Sequence, residues 1–435
     1  MQKGAANILP RISQEFEETS TGGGMTVLFT QTTLPIYLDN QAATPLDPRV
    51  LDAMRPYLEG NFGNPSSRHH IFGQMAHEAV EQARRHIANT INAEEDEIIF
   101  TSGATESNNI AIRGVLESYR EKGRHLVTLA TEHKSLLVPA NQLAKEGFDV
   151  TVLSVSSDGL LDMRELEQAL KPETVLVSIM TANNEIGVIQ PIEQIGALCR
   201  KREILFHTDA TQGIGKIPID VKKQNIDLLS LSAHKIYGPK GIGALYIRRR
   251  KPRVKLNALL LGGDQERGMR AGTLNTPAIV GLGAAIQFAI HELPMESKRL
   301  AKLRDQLLAE LNRRIQGIRV NGSLGQRLPG NLNVSIQGVD SEALLFSLKR
   351  IAISSGSACT SLSVEPSHVL TALGLDREDA LSSIRISIGR FNTEEDIEIA
   401  IEEISQQVDK IRSLRGWSKE AGITKMSIVN QSHAG

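Results

Sequence analysis

Three short stretches carry side chains whose types and spacing can do chemistry. In SLSAHKIYGPKGIGALYI, Lys235 follows an apolar run that ends in Ser232, with His234 beside it and Gly238, Pro239, Gly241 and Gly243 after it. A lysine fixed at a strand end, near a pocket for an anion, can have the lowered pKa that a Schiff base needs; a solubilising surface lysine is the alternative. In EILFHTDATQG, Asp209 closes a second apolar run. A carboxylate buried there must be paired or neutral, and it can either hold a pyridinium nitrogen protonated or merely cap a turn. In EIIFTSGATESNN, Gly103 permits a tight turn and Thr105 stands where a helix begins. The free N–H groups and partial positive charge of a helix N-terminus suit a phosphate, although plain N-capping uses the same residue types. Taken together, a phosphate cradle, a pyridinium partner and a Schiff-base lysine, each in a separate strand-end loop, describe a pyridoxal phosphate site.

A fourth stretch, SSGSACTSLSVEP at 354–366, sets Cys359 among serines, a glycine, a threonine and Pro366. Such residues favour neither helix nor sheet, so a mobile surface loop is expected, and a cysteine on a mobile arm can travel. A small hydrophobe bordering a turn is the other reading. Cys199, in IGALCRKRE, falls on a helical pattern and reads as a packed core residue. His69 and His70 are adjacent in sequence and badly placed to chelate together, so no metal site is assigned.

The elements that must position these residues alternate along the chain. From Ile36 onward, apolar runs suited to buried strands (97–100, 125–130, 174–180, 203–209, 227–232) alternate with helical periodicity, which predicts an α/β fold with a mainly parallel sheet covered by helices. Ligands of such sheets collect at the carboxyl ends of the strands, where several of these runs finish in polar residues. Helical patterns at 278–293 and 296–315 flank Pro294, and beyond it short strands at 332–336 and 385–388 and helices at 341–350 and 393–415 predict a smaller α+β domain. The expected division is a leader over 1–34, a large cofactor-binding domain over 45–293, and a small domain made of 35–44 and 294–435.

Composition narrows the function. At 435 residues the chain is long for a single core. A formal net charge of −1 gives no field for nucleic acid or anionic lipid, and no nucleic-acid partner is expected. Two cysteines exclude a disulfide framework and a four-thiolate site from one chain, and fit a reducing compartment, hence a cytoplasmic expectation. No run of about 18 uncharged apolar residues is present, so no membrane partner is expected. The leader has no apolar signal-peptide core, and Glu15, Glu17 and Glu18 make a poor presequence; Met25, after three glycines, is an alternative start.

At this point the chain closely resembles the class V aminotransferase-fold cysteine desulfurases of the IscS/NifS group. The likeness runs through IYLDNQAATPLDPRV (36–50), FGNPSS (62–67), TSGATESNN (101–109), ATEHKS (130–135), ANNEIG (182–187), DATQG (209–213), SAHKIYGPKGIGAL (232–245), GGDQERGMRAGT (262–273), SSGSACTS (354–361) and IRISIGRF (384–391). It implies the aspartate aminotransferase-like fold, type I, of pyridoxal phosphate enzymes. By the resemblance Lys235 carries the cofactor as a Schiff base and removes the substrate's α-proton, Asp209 pairs with the pyridine nitrogen, and His133 stacks on the ring with an acid/base role. Asn184 and Gln212 match contacts to substrate or to the ring hydroxyl; Thr105, Ser232 and His234 match phosphate ligands, and Ala104 belongs to the cofactor set. Thr273 matches a phosphate contact donated across a homodimer, and Arg385 the arginine that grips the substrate carboxylate, a task suited to a two-pronged guanidinium.

The resemblance makes Cys359 the sulfur acceptor. L-cysteine would be converted to L-alanine while the Cys359 thiolate takes the sulfur as a persulfide. It implies delivery to an iron–sulfur scaffold and other acceptors, tRNA thiolation among them, with Cys359 as a shared [2Fe-2S] ligand during transfer. The long polar stretch after Cys359 is similar to the IscS branch, which implies turnover without an obligatory activator. A selenocysteine lyase or related enzyme of the same fold is the alternative. Two features depart from the pattern: the tail GWSKEAGITKMSIVNQSHAG, and Gln41 in place of Ser or Asn.

Overall fold

The computed structural model describes residues 34–355 and 365–416. The leader through residue 33, Cys359 and the tail from residue 417 lie outside the described residues. Strand β1 (Ile36–Tyr37) precedes α1 (Pro48–Glu59) and α2 (Ile71–Ile91). Strands and helices then alternate: β2 (Ile98–Thr101), α3 (Ala104–Ser118), β3 (His125–Leu129), α4 (Lys134–Lys145), β4 (Asp149–Leu153), α5 (Met163–Ala169), β5 (Thr174–Ser178), α6 (Ile192–Lys201), β6 (Leu205–Asp209), β7 (Leu228–Ser232) and β8 (Gly243–Ile247). The seven strands form one sheet in the order β2-β8-β7-β6-β5-β3-β4, in which β8 is antiparallel to both neighbours and the other pairings are parallel.

Burial on both faces explains the continuous apolar runs. Because side chains alternate along a strand, Val127, Val177, Phe206 and Leu229 point into one core with α1, α2 and α6, while Leu126, Leu176, Leu205 and Leu228 point into another with α3 and α4. Since β2, β6 and β7 run the same way, Thr101, Asp209 and Ser232 finish at one edge of the sheet. That edge is where the candidate residues gather.

Helix α7 (Thr276–Arg314) runs for 39 residues through Pro294 without a break. The boundary expected near Pro294 therefore falls inside one helix. Proline removes one intrahelical donor, and that loss is tolerated because both halves are packed. Ala278, Leu282 and Ile286 join the first core, and Leu303, Leu307 and Leu311 join a second one. By length and hydropathy the helix could cross a membrane, but its apolar half lies against α1 and α2.

The smaller unit contains β9 (Ile318–Val320), β10 (Asn331–Ile336), α8 (Ser341–Ser347), β11 (Ile351–Ala352), β12 (Ser354–Ser355), α9 (His368–Ala372), α10 (Arg377–Leu381), β13 (Ser383–Ser387) and α11 (Glu394–Leu414). The second core lies among β10, α8, β11, β13, α11 and the second half of α7, whereas α9 and α10 pack against Ile186 and Val188 in a separate cluster. The unit's antiparallel sheet has the order β12-β13-β10-β9, and α11 begins with a capping box between Thr393 and Asp396. Strand β1 pairs in parallel with β11, and Leu38 is buried in the second core. Asn40 Nδ2 donates to the Ser387 carbonyl (2.9 Å) and the Gln41 N–H to Ser387 Oγ (3.0 Å). The chain from 36 to 41 is thus tied to the small unit, although it opens onto the large one.

Candidate active site

A cavity of about 460 Å³ lies at the strand ends and is lined by Gly103, Ala104, Thr105, His133, Asn184, Asp209, Gln212, Ser232, His234 and Lys235, among others. Its floor is the start of α3. Gly103 is the N-cap, with φ 149° and no side chain to cap with, so the first-turn N–H groups have no capping side chain. Thr105 is one residue inside the helix and is not its cap. On the other side a Cβ on Gly243 would come within 2.7 Å of Gly103 Cα, so glycine there lets β8 lie against the cradle.

The cradle's surroundings are ordered by charge. Glu106 accepts from the Ser102 N–H (2.6 Å) and from Arg270 Nε (2.8 Å). Burial works against its charge, but these bonds hold the carboxyl below its ordinary range. Burial, followed by the charges of Lys235, Lys240 and Lys216, pushes His234 down to about 4. It is therefore a neutral imidazole whose buried Nδ1 has no hydrogen-bond partner among the described residues.

Asp209, at the end of β6, accepts from Asn108 Nδ2 at Oδ2 (2.7 Å) and from the Thr211 N–H at Oδ1 (2.9 Å). It caps its turn and also faces the cavity. Asn108 Nδ2 additionally donates to Ser135 Oγ (2.9 Å), which lies 2.8 Å from His133 Nδ1. His133 Nδ1 also accepts the Ser135 N–H (3.1 Å), making this imidazole the N-cap of α4. Burial, aided by Lys235 and His368, outweighs the pull of Asp209 and lowers the His133 pKa. With Nδ1 accepting, the neutral ring carries its proton on Nε2.

Lys235 Nζ donates to the Gln41 carbonyl (2.7 Å) and the Ala42 carbonyl (2.6 Å). Burial and then the Arg385 charge lower its pKa to about 8, against Asp39 and Asp209. Gln212 Nε2 donates to the same Gln41 carbonyl (3.0 Å).

Arg385, on β13, stands beside this cavity and does not line it. Its Nη1 donates to the Asn184 carbonyl (3.0 Å) and its Nη2 to Asp39 Oδ1 (2.7 Å), while its buried Nε has no partner among the described residues. Thr273 is exposed and is also absent from the cavity lining. The loop before it is pinned to β2, because Glu266 accepts from Arg84 Nη2 (2.8 Å) and from the Phe100 N–H (2.7 Å). Cys359 is outside the described residues; β12, four residues before it, pairs Ser354 with Arg385.

Sequence reasoning missed Asn108, Ser135 and the carbonyls of Gln41 and Ala42. Asn108 was within reach, since it lies three residues after Thr105 and hence on the same helix face. The carbonyls had no side-chain signal at all.

Pyridoxal phosphate fits this donor set. An uncapped helix start, the spare Nδ1 of His234 and the Ser232 hydroxyl are donors and acceptors for a phosphate. Asp209 offers a carboxylate for a ring nitrogen, and Lys235, its pKa lowered to about 8, is the carbonyl-reactive amine.

Comparison with known proteins agrees with this chemistry. The family model described as aminotransferase class-V matches residues 36–399. A human cysteine desulfurase is 53% identical over 380 residues, covering 87% of this chain and 83% of the relative. A cysteine desulfurase IscS of Shewanella oneidensis is 55% identical over 383 residues, covering 88% and 94%. Among solved structures, a NifS-like protein superposes with a TM-score of 0.81 at 38% identity, covering 86% of this chain and 100% of the other. A structure described as SspA in complex with cysteine gives 0.73 at 40% identity, covering 82% and 100%.

Proposed function

This chain belongs to the aminotransferase class-V family, and from that premise we infer that it is a pyridoxal phosphate-dependent cysteine desulfurase, converting L-cysteine to L-alanine. The observation that carries the reading is the convergence of Lys235, Asp209 and the uncapped start of α3 on one cavity, with the spare Arg385 Nε beside it.

Bound pyridoxal phosphate supplies an electron-withdrawing ring that stabilises negative charge on the α-carbon of an attached amino acid. Lys235 would hold the cofactor through Nζ until the substrate's amine replaces it and frees the lysine, and the Ala104 and Thr105 N–H groups, Ser232 and His234 would hold the phosphate. Asp209, kept in place by Asn108 and Thr211, would pair with the ring nitrogen, His133 would contact the ring, and Gln212 and Asn184, which line the same cavity, would supply further polar contacts. Arg385 takes the substrate carboxylate, which orients the α-C–H toward Lys235. The Lys235 amine, poised near neutrality, then accepts the α-proton at Nζ.

The Cys359 thiolate attacks the substrate Sγ. The new S–S bond forms as the C–S bond breaks, and protonation of the carbon fragment yields alanine and a Cys359 persulfide. Four residues of chain beyond Ser355 span at most about 14 Å, enough for Cys359 to work close to Arg385.

The same reading extends to partners. The enzyme works as a homodimer in the cytoplasm, with Thr273 reaching the partner chain's cofactor phosphate. Its exposure supports this, as does an apolar surface of Phe62, Ile71, Phe72 and Met75 at the start of α2. The persulfide goes to an iron–sulfur scaffold and other acceptors, including a tRNA-thiolation relay, with Cys359 as a shared [2Fe-2S] ligand during transfer. The test is alanine and sulfide release from L-cysteine with a reductant. Cys359→Ala is expected to keep the cofactor's visible band and to form no enzyme persulfide; equal turnover by the variant would remove Cys359 from the mechanism.

A further inference from the structure

Behind the cavity, four residues beyond Gln212, lies a lysine that the reaction above does not use. Lys216 is partly buried and borders a second cavity of about 40 Å³ between the two units. Its Nζ donates to Gln212 Oε1 (2.8 Å), its one hydrogen-bond partner among the described residues. The other end of the same amide, Nε2, donates to the Gln41 carbonyl (3.0 Å), the atom that also receives Lys235 Nζ.

An amide can present either its oxygen or its nitrogen to a given neighbour, and the two differ little in shape. An ammonium has donors only, so it accepts one orientation: Oε1 toward Lys216, Nε2 toward Gln41 and the active-site cavity. The Nε2 group has two N–H bonds and Gln41 uses one. The second is the donor that Gln212 can offer to the cavity it lines. A positive charge on the oxygen side of an amide also strengthens the N–H on the other side.

We propose that Lys216 is a positioning residue for the cofactor pocket: it locks the Gln212 amide with Nε2 facing the pocket and places a cation behind that donor. The group faced by Nε2, on the reading above from which this inference proceeds, is the ring oxygen of pyridoxal phosphate. A cation there favours the anionic form of that oxygen and disfavours a proton on the adjoining nitrogen.

Lys216 is itself subject to several charges. Lys235 and His234 face it from the segment after β7, Glu296 from α7, Arg385 from β13, and Tyr237 and Arg390 share its cavity. Burial and the Lys235 charge push its ammonium down to about 7, with Glu296 opposing. The clamp is therefore most fully charged below neutral pH.

The experiment uses the holoenzyme and follows the bound cofactor's visible band against pH, without substrate. Lys216→Met is expected to move the midpoint to higher pH by about one unit, and Lys216→Arg, which keeps the donors, to restore most of it. Gln212→Ala alone should also move the midpoint, and adding Lys216→Met to it should change nothing further. A merely structural Lys216 would lower stability, leave the midpoint in place and add to Gln212→Ala, which would overturn the proposal. If Gln212→Ala leaves the band unmoved, Lys216 has nothing to act through and the proposal falls, while the cofactor reading survives as long as Lys235→Ala abolishes the band. Should Lys216→Met not fold, Lys216→Gln, neutral and polar, takes its place with the same expected direction.

Discussion

Lys235 Nζ lies 2.7 Å from the Gln41 carbonyl oxygen and 2.6 Å from that of Ala42. The reactive amine belongs to the large unit, but the carbonyls belong to a segment whose preceding strand, β1, pairs with β11 of the small one. Any movement of one unit against the other therefore changes how Lys235 is held. Burial and Arg385 already weaken its charge, so a small change at these carbonyls acts on an amine poised near neutrality.

Cofactor capture by the apoprotein follows from that poise. Only the neutral amine attacks a carbonyl, and the Lys235 pKa is lowered from 10.5 to about 8. The neutral fraction therefore rises with pH and levels off above about 8, and at neutral pH it is about 300-fold larger than for an ordinary lysine. Gain of visible absorbance on mixing apoprotein with excess pyridoxal phosphate should follow the same curve. A rate still climbing steeply at pH 10 would show that Lys235 is an ordinary lysine.

Asn108 holds Asp209 and Ser135 with one amide nitrogen. Asn108→Ala leaves Asp209 Oδ2 without its donor, and a hydrogen bond to a carboxylate contributes about 1.5–3 kcal/mol. Cofactor affinity should fall about 10- to 100-fold in equilibrium dialysis with pyridoxal phosphate. Asp209→Ala should be worse, since it removes the group that Asn108 positions.

Arg385 uses one N–H of Nη1 and one of Nη2, so three of its five donors, Nε among them, remain for a ligand. Arg385→Lys keeps the charge but loses the fork, so the Asn184 carbonyl, Asp39 and a substrate carboxylate would compete for one ammonium. The expected result is a fall of about 100-fold in kcat/KM for L-cysteine, mostly through KM, with the cofactor band unchanged. Loss of the band would instead make Arg385 a support of the cofactor site.

The parallel sheet was legible because its strands are buried on both faces and read as mostly apolar runs without polar alternation, as at 174–178 and 228–232, where the polar residues are small serines and a threonine. Lys235, Asp209 and the glycine-led start of α3 were legible for a related reason: each ends or follows such a run. The continuity of α7 was not, because Pro294 is a local breaking signal and only packing against both cores overrides it. The role of residues 36–42 was equally hidden. It depends on backbone carbonyls and on pairing with β11 more than three hundred residues later, and neither leaves a mark in local composition.

The loop that carries Thr273 depends on a buried ion pair, so its order should be sensitive to one substitution. Arg84 and Glu266 side chains are 4% and 1% exposed and 2.8 Å apart, and Glu266 also accepts the Phe100 N–H. Arg84→Met leaves that carboxylate buried with backbone support but without its ion-pair partner, with only the charge of Arg267 nearby, at a cost of about 3–5 kcal/mol. The urea midpoint should fall accordingly. Glu266→Gln in the Arg84→Met background removes the stranded charge while keeping an acceptor for Phe100, so it should recover a large part of the loss. If the double variant is no more stable than Arg84→Met, the cost lies in the lost contact of the Arg84 guanidinium with the Phe100 ring, whose centroid it covers at 4.7 Å, and the ion pair is secondary.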